Sequence, residues 1–144
     1  QLNDMVKVES KKTEIKRNVE FVFDYMKNFS NFSLMANDKI QNFKATEDKC
    51  SFTVNGMGDC GLKMLSRVPY DKIVITNDTD IQSSMPFNFI LSLDFEKTEP
   101  YKCNVQATIE LDVPQIAAMM IKKQLEKALN TLMDGLKQRM EMIM

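Results

Sequence analysis

The sequence predicts an α+β protein: a curved, seven-stranded antiparallel sheet wrapped around one long C-terminal helix, with two short helices between the first and second strands. Three observations carry this. The last thirty or so residues keep an unbroken helical period, the middle of the chain alternates apolar and polar residues, and turn-like dipeptides break that alternation at regular intervals.

Residues 5–16 mix charges with Val6, Val8 and Ile15 and read as a first strand. Lys7, Lys11, Lys12, Lys16 and Arg17 crowd this segment, as expected of a solvated edge strand; a basic binding stripe is the alternative. Asn18 is a good N-cap and Glu20 suits a first helical turn. Val19, Val22, Phe23 and Met26 give that helix an apolar side as far as about Asn28. A second short helix is expected from Asn31 to Ala36. Two such helices in succession cannot make a core of their own and must close one end of something larger.

From Lys39 the period becomes two, with strands expected over 39–46, 49–55, 58–68, 72–79, 84–97 and 101–113. Glu47-Asp48, Asn55 to Gly58, Pro69 to Asp71, Asn77 to Asp80 and Thr98 to Pro100 separate them, which makes consecutive hairpins. Phe87, Phe89, Leu91, Leu93 and Phe95 alternate with polar residues, as do Cys103, Val105, Ala107, Ile109, Leu111 and Val113. One face of the sheet is therefore apolar and the other wet. Its cover is the segment Pro114–Met144. Proline suits a first helical turn, and Ala118, Ile121, Leu125, Leu129, Leu132, Leu136, Met140 and Ile143 then form one stripe. A helix of this length spans roughly 45 Å. Where so long a rod diverges from a curved sheet, side chains rarely fill the wedge, and a cavity is the natural consequence.

The chain has 144 residues, suited to one domain over 1–144, with residues 1–4 read as a processed end or an expression remnant ahead of a native start at Met5. A net charge of −1 argues against a nucleic-acid binder. No segment is apolar and long enough to cross a bilayer and no signal peptide is visible, so the cytoplasm is the expected location. Histidine is absent and the three cysteines lack metal-ligand spacing, so neither a metal nor a cofactor is expected. Cys50, Cys60 and Cys103 fall in phase with apolar neighbours as small buried hydrophobes; a Cys50–Cys60 disulfide is the lesser alternative.

At this point the chain resembles the START/Bet v 1-like (SRPBCC, polyketide cyclase-like) superfamily with its helix-grip fold. The resemblance rests on Ile15-Lys-Arg-Asn-Val-Glu-Phe-Val-Phe-Asp-Tyr-Met, followed by Asn31-Phe32. The segment Asn55-Gly-Met-Gly-Asp-Cys-Gly is similar to a hairpin of small bacterial members without an assigned function. What the resemblance implies is binding of a hydrophobic or amphipathic small molecule, lipid-, polyketide- or quinone-like. Fold alone does not choose among these.

The site residues expected from this arrangement come from every layer. The short-helix region supplies Phe32 and Met35, and the sheet supplies Phe52, Met64, Ser66, Phe89, Leu91, Ala107 and Ile109. The long helix supplies Met119, Met120, Leu125 and Leu129. Ser66 is a rare polar residue in phase with an apolar strand face, suited either to orienting a ligand or to a local backbone bond. Twelve methionines are unusual, and flexible thioethers such as Met133 suit either a cavity wall or plain core filling.

No catalytic set stands out. The Gly56, Gly58, Gly61 cluster lacks the lysine and following helix of a phosphate loop, which leaves turn chemistry; Asp59 beside it is solvated or at a cavity mouth. Asp94, Glu96, Glu110 and Asp112 fall on the wet face, while Tyr25, Tyr70 and Tyr101 sit near element ends. The favoured expectation is therefore ligand binding without catalysis; a cyclase- or aromatase-like enzyme is the second. The third is a protein-interaction module or homodimer using Ile116–Met120. Residues 116–121 are apolar all round, so the short-helix region, a partner copy or a ligand must cover them.

Overall fold

The computed structural model describes residues 5–35, 40–56, 58–81 and 87–143. Its elements are β1 (Met5–Glu9), β2 (Thr13–Ile15), α1 (Val19–Met26), a 3-10 helix (Phe29–Met35), β3 (Ile40–Ala45), β4 (Lys49–Val54), β5 (Gly58–Val68), β6 (Lys72–Asn77), β7 (Phe89–Glu99), β8 (Lys102–Asp112) and α2 (Gln115–Met142). The strands form one antiparallel sheet in the order β1-β8-β7-β6-β5-β4-β3, with β2 also on β8.

The expected first strand is two strands. At Ser10 the chain breaks away, and its hydroxyl accepts the Ala107 N–H at 2.9 Å while its own N–H donates to the Ala107 carbonyl. The break lets β1 and β2 address successive stretches of a twisting β8. The strand expected over 84–97 begins at Phe89; residues 84–86 of that expectation, Ala36 of the short helix and Lys39 of the next strand lie outside the described residues. Asn18 caps α1 by accepting the Phe21 N–H at 2.7 Å, as its position predicts.

The inner face follows the register. Met64, Ile75, Leu91, Ile109 and Val8 stand in one row across five strands, and Arg67, Ile73, Leu93 and Ala107 in the next. α2 packs against β1, β2 and β8, laying Leu129, Met133, Leu136 and Met140 into the core. Met133 and Leu136 are wholly buried, so Met133 is core filling. The cysteines are free and buried; Cys50 sits opposite Leu62 and Cys60 opposite Phe52, two residues out of step with a bridge.

Polar ties fix the C-terminal half of α2. Asn130 accepts the Lys11 N–H at 2.7 Å, Asp134 pairs with Lys11 at 2.8 Å, and Lys137 donates to the Glu14 carbonyl at 2.7 Å. Glu141 takes a hydrogen bond from Lys137 and another from the Lys16 N–H, which together hold its carboxyl below the usual range. Among the N-terminal cations, Lys11 is thus a fastening as well as edge protection.

Candidate functional site: an apolar cleft between sheet and helix

Burial of the apolar stripe of α2 changes along its length. From Leu129 onward, Leu129, Met133, Leu136 and Met140 are buried while Leu132 and Ile143 are half-buried; before it, Ile121 and Leu125 are half-buried and Ala118 alone is covered. Burial is uneven across the sheet as well, with Ile73 and Ile75 of β6 fully covered. Inner-face residues of β8 are buried, whereas Phe52 on β4, Leu62 and Met64 on β5 and Leu91 on β7 remain half-exposed. Water therefore reaches apolar side chains where the helix and the β4–β5 side of the sheet draw apart. Phe43 and Phe52 stack there with centroids 6.4 Å apart, and Phe32 packs edge-on against Phe29 at 5.4 Å near the closed end.

The thirteen expected site residues divide accordingly. Phe32, Phe52, Met64, Leu91 and Leu125 are half-buried, and Phe89, Ala107, Ile109 and Leu129 are buried among the core residues behind them. The side chain of Met35 lies outside the described residues. Three expectations are corrected. Met119 and Met120 are 79% and 77% exposed on the side of α2 turned away from the sheet, because the helical phase that buries Ala118, Ile121 and Leu125 turns them out.

Ser66 is the third. The pairing of β5 with β6 shifts between Met64 and Ser66, a bulge that inserts Leu65 and reverses the parity of the strand. Ser66 consequently stands opposite Val74 on the outer face, exposed, while Arg67 takes the inward position opposite Ile73. Arg67 is a residue that alternation did not point to. It donates to the carbonyls of Lys27 and Glu47 at 2.8 and 3.0 Å and pairs with Asp48, tying the end of α1 to the β3–β4 turn. Its Nε and Nη2 are thus engaged by structure.

Other polar groups are also engaged. Tyr25 donates to the Asn31 carbonyl at 2.9 Å, Tyr70 packs edge-on against Phe23, and Tyr101 is 76% exposed. Asp59 accepts from the Thr53 hydroxyl at 2.7 Å on the outer face. There, Ile81 separates two open concavities of about 310 and 260 Å³; Asn42, Ser51, Thr53 and Asp59 line the first, Lys49 and the buried Asp78 the second. The Asp78 carboxylate accepts the Asp80 N–H at 3.0 Å and lies 3.9 Å from the Lys49 ammonium. Among the described residues no group of three or more His, Cys, Asp and Glu is placed to hold a metal ion, and no helix is long and apolar enough to cross a membrane.

A curved antiparallel sheet around a long C-terminal helix, closed by short helices, defines the helix-grip class. The chain has the fold of the START/Bet v 1-like superfamily. A START superfamily protein from Mycobacterium smegmatis superposes with a TM-score of 0.71 over 95% of this chain and 97% of its own, at 16% identity. Truncated norcoclaurine synthase from Thalictrum flavum gives 0.76 over 100% and 98%, at 7% identity. A protein from Bacillus thuringiensis gives 0.73 over 94% and 98%, at 10% identity. The Thalictrum enzyme has also been solved with dopamine and hydroxybenzaldehyde. No protein-family model matches the sequence, and no curated protein matches it.

Proposed function

We propose that this protein binds a hydrophobic or amphipathic small molecule, lipid-, polyketide- or quinone-like, between the sheet and the N-terminal half of α2, without catalysing its conversion. The observation that carries this reading is uneven burial: an apolar inner face wholly covered on β8 but half-open at Phe52 on β4, Leu62 and Met64 on β5 and Leu91 on β7. Half-exposed Phe52, Leu62, Met64, Leu91 and Leu125 form a surface that gains by covering, at about 25 cal/mol for each Å² of apolar area removed from water. Stacked Phe43 and Phe52 favour a ligand with a flat or extended apolar portion. Support for binding without catalysis comes from Arg67 and Tyr25, where Nε and Nη2 of the one and the hydroxyl of the other donate to backbone carbonyls.

Titration with the fluorescent apolar probe N-phenyl-1-naphthylamine tests the reading. Saturable binding is expected, weakened at least tenfold by Leu125→Lys and unchanged by Tyr101→Ala. Binding that ignores Leu125→Lys, or no saturable binding at all, overturns it.

A further inference from the structure

The first turns of α2 expose three large apolar side chains together: Ile116 at 78%, Met119 at 79% and Met120 at 77%. All three lie on the outer side of the helix, away from the cleft. Along that same outer line the next residues are Lys123 and Lys127, both exposed and neither engaged in an ion pair among the described residues. We propose that this end of α2 is a docking surface for an anionic lipid bilayer, with Ile116, Met119 and Met120 entering the interface and Lys123 and Lys127 meeting the headgroups.

The spacing fits the depth of such an interface. At about 1.5 Å per residue, Lys123 stands roughly 6 Å along the axis from Met119, and Lys127 roughly 10 Å from Met120. With the axis of α2 tilted so that its first turns enter the boundary, this axial offset lifts the two ammonium groups towards phosphate level as the apolar turns go under. Long lysine stems reach towards the headgroups without being desolvated themselves.

Charge is complementary as well. Residues 115–133 hold Lys122, Lys123 and Lys127 against Glu126 alone. The first turn has no acidic residue and no side-chain cap, so its free N–H groups leave partial positive charge at the tip. Asp112, exposed just before the helix, is the opposing charge nearest in sequence. Each lysine close to an anionic surface contributes on the order of 1 kcal/mol.

A second copy of the chain is a poorer occupant. Three side chains offer roughly a few hundred Å², short of the roughly 800 Å² a side that a stable interface takes. Lysine is also depleted in protein–protein contacts, where this patch carries it at the rim. Docking of this kind does not depend on what the cleft holds.

Flotation of the whole chain with phosphatidylcholine vesicles, with and without phosphatidylglycerol, is the test. Partitioning at least tenfold stronger on the anionic vesicles is expected, falling severalfold in high salt. Met119→Glu with Met120→Glu should abolish it, and Lys123→Glu with Lys127→Glu should remove its dependence on anionic lipid. All four positions are exposed, so far-ultraviolet circular dichroism and thermal unfolding should match wild type. No flotation on anionic vesicles, or flotation that survives the methionine substitutions, overturns the proposal. So does light scattering that shows a dimer dissociated by those substitutions, which would make the patch a self-interface.

Discussion

Arg17 holds the last turn of α2: its Nη1 donates to the Met140 carbonyl at 2.8 Å and also to the Ile143 carbonyl. The guanidinium lies 3.8 Å above the Phe21 ring, so one side chain joins α1 to carbonyls that a helix C-terminus leaves unpaired. With Lys11–Asp134 and the Lys16 N–H to Glu141, it fastens the C-terminal half of α2; among the described residues the N-terminal half has no such polar tie to the rest of the fold.

Arg17→Met keeps the apolar stem and deletes the donors. It should cost about 1–3 kcal/mol in urea unfolding, the range for hydrogen bonds from a charged group. Lys11→Met, which removes a salt bridge exposed on both sides, should cost about 1 kcal/mol or less. Equal losses in the two variants would show that Arg17 has no special part.

Thr13 has a hydroxyl oxygen without a hydrogen-bond partner among the described residues, in a residue only 4% exposed. Thr13→Val keeps the shape and removes the unsatisfied group, so it should stabilise the protein by about 1 kcal/mol. A fall in the urea midpoint would show that the hydroxyl is satisfied in solution.

Gly61 stands where a Cβ would meet Ile81 Cδ1 at 2.7 Å, Asp78 Cβ at 3.2 Å and Ile81 Cβ at 3.3 Å. Gly61→Ala should therefore destabilise by about 1–3 kcal/mol through overpacking. Ile81→Val removes the closest atom, and the double variant should lose less than the sum of the singles. Additive losses would place the strain elsewhere.

Burial pushes the Cys50 thiol up to about 12, against a smaller lowering by the Leu62 N–H, and pushes Cys103 up to about 11 with a contribution from Glu20. The folded state thus favours neutral thiols, while unfolded thiols ionise near 8.5. Their contribution is complete below that pH and is lost as pH rises through the window up to about 11–12. Urea unfolding at pH 7.5 and 10 should show the loss, and it should be smaller in the Cys50→Val, Cys103→Val double variant. A double variant as alkali-sensitive as wild type would refute the assignment.

Much of the site was legible as a pattern and illegible as a position. Phe52, Leu91 and Leu125 were readable as inner-face residues, since alternation on a strand and a stripe on a helix need only the local period. Ser66 was misplaced because one inserted residue, Leu65, turns the rest of β5 over, and no residue type nearby announces the shift. Arg67 went unnoticed for the same reason. Met119 and Met120 were assigned to the cavity on composition, although the phase set by Ala118, Ile121 and Leu125 already turned them outward.

The sequence by itself determined the kinds of element, their order and the sidedness of each, because these follow from backbone period and capping chemistry within a few residues. It determined that α2 is amphipathic, that Asn18 starts α1, and that the middle of the chain is a set of hairpins. Only the tertiary structure decided which residues of the α2 stripe are covered, where the sheet slips register, and that Lys11 and Arg17 clamp a helix more than a hundred residues away. Those outcomes depend on distances between elements far apart in the chain, and no local pattern encodes a distance of that kind.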